Sequence, residues 1–178
     1  ADGTKIDGQG YKEIKKYVDE ELKFWDYGLK TELDPTTHPR LAKYWVHVNF
    51  KNTKSQISKR EPWSAAFISW VLRDADFVGA GSHWRYSERN QSSANWKGYS
   101  LLGDHPGKII IRLGDVLIKT RGKGLPEDRF KTHGDVVFEI EGGNAKLAGG
   151  NLSNSAKHTT NIALNSDGTI ADPQAYIF

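Results

Sequence analysis

Apolar residues recur at three- and four-residue steps through Tyr11, Ile14, Val18, Leu22 and Trp25, with Lys and Glu between them. That spacing predicts an amphipathic helix with one buried stripe. Two prolines in Asp34-Pro35-Thr36-Thr37-His38-Pro39 enforce a turn. A second short helix is expected to carry Leu41, Tyr44, Trp45 and Val48, and the polar run Lys51 to Arg60 reads as a connecting loop. At Pro62 the pattern changes. Pro62-Trp63-Ser64-Ala65-Ala66-Phe67-Ile68-Ser69-Trp70-Val71-Leu72 is apolar almost all round, which predicts a central, buried helix with Pro62 and Ser64 in its first turn. Gly79 to Gly81 breaks the chain, and Ser82 to Trp96 reads as partly helical.

Beyond Pro106 the pattern becomes strand-like. Lys108 to Arg112, Asp115 to Thr120, Asp135 to Glu141, Ala145 to Ala148 and Asn161 to Leu164 are short runs rich in Val, Ile and Leu. Turn signals separate them, notably Gly142-Gly143-Asn144 and Ser166-Asp167-Gly168. Helices followed by an antiparallel sheet define an α+β fold. We expect a single domain over 1–178. Its parts are a helical 1–60, the buried helix and its successor in 61–100, and the sheet in 105–178.

Composition narrows the classes. Six Trp, seven Tyr and seven Phe in 178 residues provide core material without covalent staples. No apolar run approaches the length of a membrane span. The net charge of +3, with both signs interleaved, is a mild bias towards anionic partners such as cell wall. It is not the footprint of a nucleic-acid binder. The absence of cysteine excludes disulfides, thiolate catalysis and cysteine zinc sites. A chain that begins at Ala1 and contains no Met is expected to be secreted or periplasmic after loss of an export signal, or to start inside a longer product.

Three residues stand out for chemistry. Ser64, in the first turn of a buried helix, faces unpaired N–H groups and the positive end of the helix dipole, where a developing anion is stabilised. Serine is also common there simply as a cap. His133 opens a strand, and Asp135 two residues on shares its face, so that a carboxylate would orient the imidazole as a general base. Asn151, in Gly149-Gly150-Asn151, returns beside His133 if Gly142-Gly143 turns a hairpin, and its amide would fix the imidazole tautomer. A structural role at a strand start and in a Gly-Asn turn explains either residue taken singly.

The run Pro62 to Trp70 resembles the nucleophile helix of the papain-like CHAP and NlpC-type amidase/peptidase superfamily, where a tryptophan precedes a cysteine. The chain is more closely similar to the bacterial family known as domain of unknown function 2272. That likeness lies at Pro62 to Trp70, His83-Trp84-Arg85-Tyr86, Gly114-Asp115-Val116-Leu117, His133-Gly134-Asp135-Val136-Val137 and Gly149-Gly150-Asn151.

The resemblance implies a small papain-like α+β domain with Ser64 as nucleophile, His133 as base and Asn151 or Asp135 as its orienting partner. Trp63, Tyr44, His83 and Tyr86 would line the substrate cleft, with Asp115 facing the same region or shaping its turn. The implied activity is cleavage of a peptidoglycan amide bond without a cofactor. The implied setting is a monomer in wall remodelling, in phage lysis, or as an antibacterial effector with an immunity or inhibitor protein as partner. Serine in place of cysteine leaves three explanations open: a natural serine hydrolase, a cysteine enzyme disabled by exchange to serine, or a fold recruited for binding.

Two rival readings come from other classes. His83, His133, Asp135 and His158 offer imidazole and carboxylate ligands for zinc, though without a helical His pair at metal spacing. Trp63, Trp84, Trp96 and Tyr99 offer rings for a wall- or glycan-binding module, although such rings usually fill cores. Gly122-Lys123-Gly124 leads to Pro126 rather than into a helix, which is not a phosphate-cradling loop.

Overall fold

A computed structural model describes residues 8–90, 96, 109–120 and 131–172. Tyr99, residues 121–130 and residues 91–95 of the segment 82–96 lie outside the described residues.

The first helix, α1 (Gly8–Phe24), buries Ile14, Val18 and Leu22 along one stripe, as the spacing predicts. Asp34 ends the following loop by accepting a hydrogen bond from the Thr36 N–H, and Pro35–Thr37 forms a 3-10 turn leading into α2 (His38–His47). The polar segment expected to be loop contains α3 (Thr53–Ser58), because Asn52 caps it through the Ser55 N–H. The apolar helix α4 (Ser64–Val71) is buried except at Trp70. It begins two residues after Pro62, which therefore precedes the first turn instead of occupying it. Helix α5 (His83–Asn90) follows the Gly79 to Gly81 break.

Four strands, β1 (Val116–Thr120), β2 (Thr132–Glu141), β3 (Asn144–Leu152) and β4 (Ser155–Ala163), form one antiparallel sheet in chain order. The fold is therefore α+β. Gly142 and Gly143 turn the β2–β3 hairpin at φ +58° and +75°, a conformation that glycine adopts without steric cost. Of the run expected as a strand at Lys108 to Arg112, the described residues 109–112 contribute an isolated bridge, Ile110 to Thr169, and no strand.

The sheet is buried on both faces. Ile118, Val136, Phe138 and Ala148 join the helical core with Phe67 and Ile68 of α4. Leu117, Val137, Ala145, Leu147 and Ile162 form a second core with Ile111 and Ile170. Helix α4 comes close to β3 because Gly150 has no side chain: a Cβ there would lie 2.6 Å from Phe67 Cβ and 2.8 Å from the Trp63 ring. That close approach sets the position of Ser64.

Candidate active site

Ser64 is the first residue of α4. The first helical hydrogen bond runs from the Phe67 N–H to the Trp63 carbonyl, so the N–H groups of Ser64, Ala65 and Ala66 have no acceptor within the helix. Ser64 and Ala65 line an open cleft of about 650 Å3, together with Gln56, Glu61, His83 and Lys131. At its base, Ser64 Oγ lies 2.6 Å from Nε2 of His83, and His83 Nδ1 lies 2.5 Å from the Tyr86 hydroxyl. All three residues are buried. The His83–Tyr86 spacing of three residues puts both side chains on one face of α5.

Strand alternation explains why this histidine, and not the expected His133, meets the serine. Successive side chains of β2 point to opposite faces. Val136 belongs to the core on the helical face and Val137 to the core behind the sheet. Gly134 therefore faces the helices with Val136, while His133 and Asp135 share the face of Val137. Thr132, two residues before Gly134, lines the cleft. Gly134 leaves the space that the pair on α5 fills: a Cβ there would stand 2.8 Å from His83 Nδ1 and against the Tyr86 hydroxyl.

His133 and Asp135 pair with each other as the sequence predicts, Nε2 to Oδ1 at 2.8 Å, and both are buried. Asp135 Oδ1 occupies the space a Cβ on Gly149 would need. The ring of His133 still comes within 5.6 Å of the His83 ring. Asn151 lies three residues past Ala148 and His133 three residues before Val136, so both stand beyond the last paired position of β2 and β3. Asn151 adopts φ +56° at the approach to the β3–β4 turn, and its side chain makes no hydrogen bond among the described residues.

The other expected cleft residues take different places. Tyr44 is fully buried, donates to the Glu21 carboxylate and accepts from Trp25 Nε1 at 2.9 Å. Trp63 is 1% exposed, stacked on Trp25 at 4.8 Å between centroids and on Tyr44 at 5.9 Å. Trp96 is buried against Phe77 and donates to the Ala75 carbonyl. Tyr44, Trp63 and Trp96 are core rings, because the helices meet around them. Asp115 shapes its turn: Oδ2 accepts from the Arg112 N–H at 2.8 Å. Exposed His158 pairs with Asn161 on β4, and no three His, Asp or Glu among the described residues are arranged to hold a metal ion.

Burial pushes the Tyr86 hydroxyl well above its ordinary pKa, and the negative charge of Asp135 adds to that. The phenol therefore stays protonated and neutral. Gln56, Glu61, Thr132 and Lys131 had no motif to mark them, since each lies in a polar stretch. The three-residue spacing of His83 and Tyr86 was the one legible signal that both belong to a single constellation.

The family model described as "Uncharacterized protein conserved in bacteria (DUF2272)" matches residues 34–178. The chain belongs to this family. No curated protein and no solved structure matches it. The family match takes in Ser64, His83, Tyr86, His133 and Asp135, and so all of the constellation, while the whole of α1 lies outside it.

Proposed function

We propose that this DUF2272 protein hydrolyses an amide bond of peptidoglycan, with Ser64 as nucleophile and His83 as its base. The observation that carries this reading is the 2.6 Å contact between Ser64 Oγ and His83 Nε2, at a helix start on the wall of a cleft. Ser64 Oγ attacks the carbonyl carbon while its proton passes to His83 Nε2. The N–H groups of Ala65 and Ala66 are suited to receive the oxyanion. The leaving amine takes the proton from His83, and water then releases the acyl group by the same route in reverse.

His83 serves as base only if Nε2 is free to accept, so Nδ1 must carry the ring proton and donate to the Tyr86 oxygen. The charge of Asp135 favours that arrangement by drawing the phenol proton towards itself. Tyr86 is thus a positioning residue, with Asp135, anchored by His133, acting behind it. In the papain-like CHAP and NlpC pattern His133 would be the base, and a nucleophile helix packed on an antiparallel sheet agrees with that fold. The alternation along β2 favours His83. Glu61 and Lys131 give the cleft both signs of charge, suiting a peptide that carries free amino and carboxyl groups. The same reading places the enzyme outside the cytoplasm, as a wall-remodelling or antibacterial protein.

Two assays test the proposal together: labelling of Ser64 by a fluorophosphonate, followed by mass, and release of soluble fragments from purified peptidoglycan. Labelling at Ser64 and fragment release, both lost in Ser64→Ala, are expected. Sedimentation with the wall but neither labelling nor release would replace it with a binding function.

A further inference from the structure

A second cavity, of about 600 Å3, is lined by Glu32, Leu33, His38, Lys54, Ile57 and Arg60. Helix α3 presents Lys54 and Ile57 to it at three-residue spacing, whereas Gln56, on another face, lines the Ser64 cleft. None of these six residues takes part in the chemistry proposed above.

Glu32 is the unusual member. It is 6% exposed, and its carboxylate has no hydrogen bond or ion pair among the described residues. Its carboxylate oxygens are not among the sealed, unpartnered side-chain atoms, so they open to the cavity while the rest of the side chain is enclosed. The backbone holds it in place: the Glu32 N–H donates to the Asn154 carbonyl at 2.8 Å, and His38 Nε2 donates to the Glu32 carbonyl at 3.0 Å. Burial raises its pKa above the usual carboxylate range, while the Trp63 indole N–H and the charges of Arg60 and His38 oppose that rise. The indole N–H is near enough to act on the carboxyl but closes no hydrogen bond by distance and angle. Lys54 and Arg60 are exposed and make no ion pair among the described residues. Leu33 and Ile57 add apolar wall between the two signs of charge.

We infer that this cavity binds the head group of an α-amino acid, its ammonium on the buried Glu32 carboxylate and its carboxylate at Lys54 and Arg60. An ammonium supplies donors beyond the single nearby indole N–H of Trp63, and charge-assisted hydrogen bonds of this kind are among the stronger ones. The two cations would repel an amine without an acid group. An acid without an amine would leave Glu32 uncompensated and add a like charge beside it. Leu33 and Ile57 suit an apolar side chain. The head group arrives either as a free amino acid or at the end of a larger molecule, and the same chemistry serves both.

The test is a titration of the full chain followed by nuclear magnetic resonance at the Trp63 indole N–H and the Glu32 and Lys54 amides. The probes are leucine, isopentylamine, 4-methylpentanoate, and diaminopimelate blocked at one amine and its adjoining carboxyl. Saturable shifts with leucine or the blocked diaminopimelate are expected, with the two single-charge analogues weaker. Leucine binding alone points to a free amino acid, and binding of the blocked compound alone to a larger ligand. Glu32→Gln, which keeps the shape, and Arg60→Ala should each weaken binding roughly tenfold or more. Ser64→Ala should leave it unchanged, so this site stands or falls apart from the proposed catalysis. No saturable shift with leucine or the blocked compound overturns the inference. So does binding of 4-methylpentanoate as tightly as leucine, which would mark a simple anion site.

Discussion

Ser64 Oγ and His83 Nε2 meet at 2.6 Å across two helices, nineteen residues apart in the chain. The contact exists because Gly150 admits α4 close to the sheet and Gly134 leaves room above β2 for the imidazole. Removing either partner should remove the proposed chemistry. For His83→Ala we expect the rate of Ser64 labelling to fall by about 10²- to 10⁴-fold, the usual contribution of a general base. Ser64→Cys should restore labelling by thiol reagents if the helix start and His83 activate whatever nucleophile stands there.

Tyr86→Phe separates positioning from structure. The ring still fills its place, but His83 Nδ1 loses its hydroxyl partner. A drop in kcat of roughly ten- to a hundredfold with little change in KM is expected, the cost of one strong hydrogen bond to a reacting group. The nitrogen-15 shifts of His83 should show Nδ1 protonated in the parent and a mixture of tautomers in the variant. Unchanged tautomers would rule out the positioning role.

His133→Ala distinguishes the two histidines. The alternation along β2 predicts that it unpairs a buried Asp135, lowers stability by about 1–3 kcal/mol, and slows labelling far less than His83→Ala. Thermal unfolding and labelling rates on the same preparations decide it. If His133→Ala abolishes labelling in a fully folded protein, His133 is the base and the ring of His83 stands aside.

Gly150→Ala should destabilise the protein by roughly 1–3 kcal/mol, as overpacking does, because the new Cβ collides with Phe67 and Trp63. The α4 start would shift with it, so Ser64 labelling should fall too. Urea unfolding measures the first effect and fluorophosphonate the second.

Asp115 carries a pH signature. Burial raises its carboxyl pKa above the ordinary value, partly offset by the Arg112 N–H. A folded pKa above the unfolded one means that the folded state holds the proton more firmly. The group's penalty is absent at pH below the unfolded value of about 3.9 and grows as pH rises through the folded value. Asp115→Asn keeps the acceptor for Arg112 and removes the charge. Its stability relative to the parent should therefore rise between pH 4 and pH 7, roughly, as read from urea midpoints. A constant difference across that range would refute the assignment.

Much of this was legible one residue at a time. The stripe of α1, the all-round apolar α4, the glycine hairpin at Gly142-Gly143 and the α+β order follow from local periodicity and turn chemistry, which act over a few residues. So does the pairing of His133 with Asp135, since positions i and i+2 of any strand share a face. The polar run at Lys51 to Arg60 hid α3, because a single Asn cap outweighed a weak apolar pattern.

What only the tertiary structure decided is which face of β2 meets the helices. A period of two says that His133 and Gly134 point opposite ways, but not which of them looks at α4. The packing of Val136 against Phe67 and Ile68, and of Val137 against Leu117 and Leu147, settles that choice. It turns Gly134 towards the cleft, brings His83 and Tyr86 into the space, and leaves His133 on the face of Asp135, its ring still within 5.6 Å of the His83 ring. The same packing encloses Tyr44, Trp63 and Trp96 and leaves Glu32 buried over a second cavity. Those outcomes depend on long-range contacts between segments whose local patterns are silent about one another. By itself the sequence determined the elements and named the reactive side chains; the contacts among those elements determined which of the side chains meet.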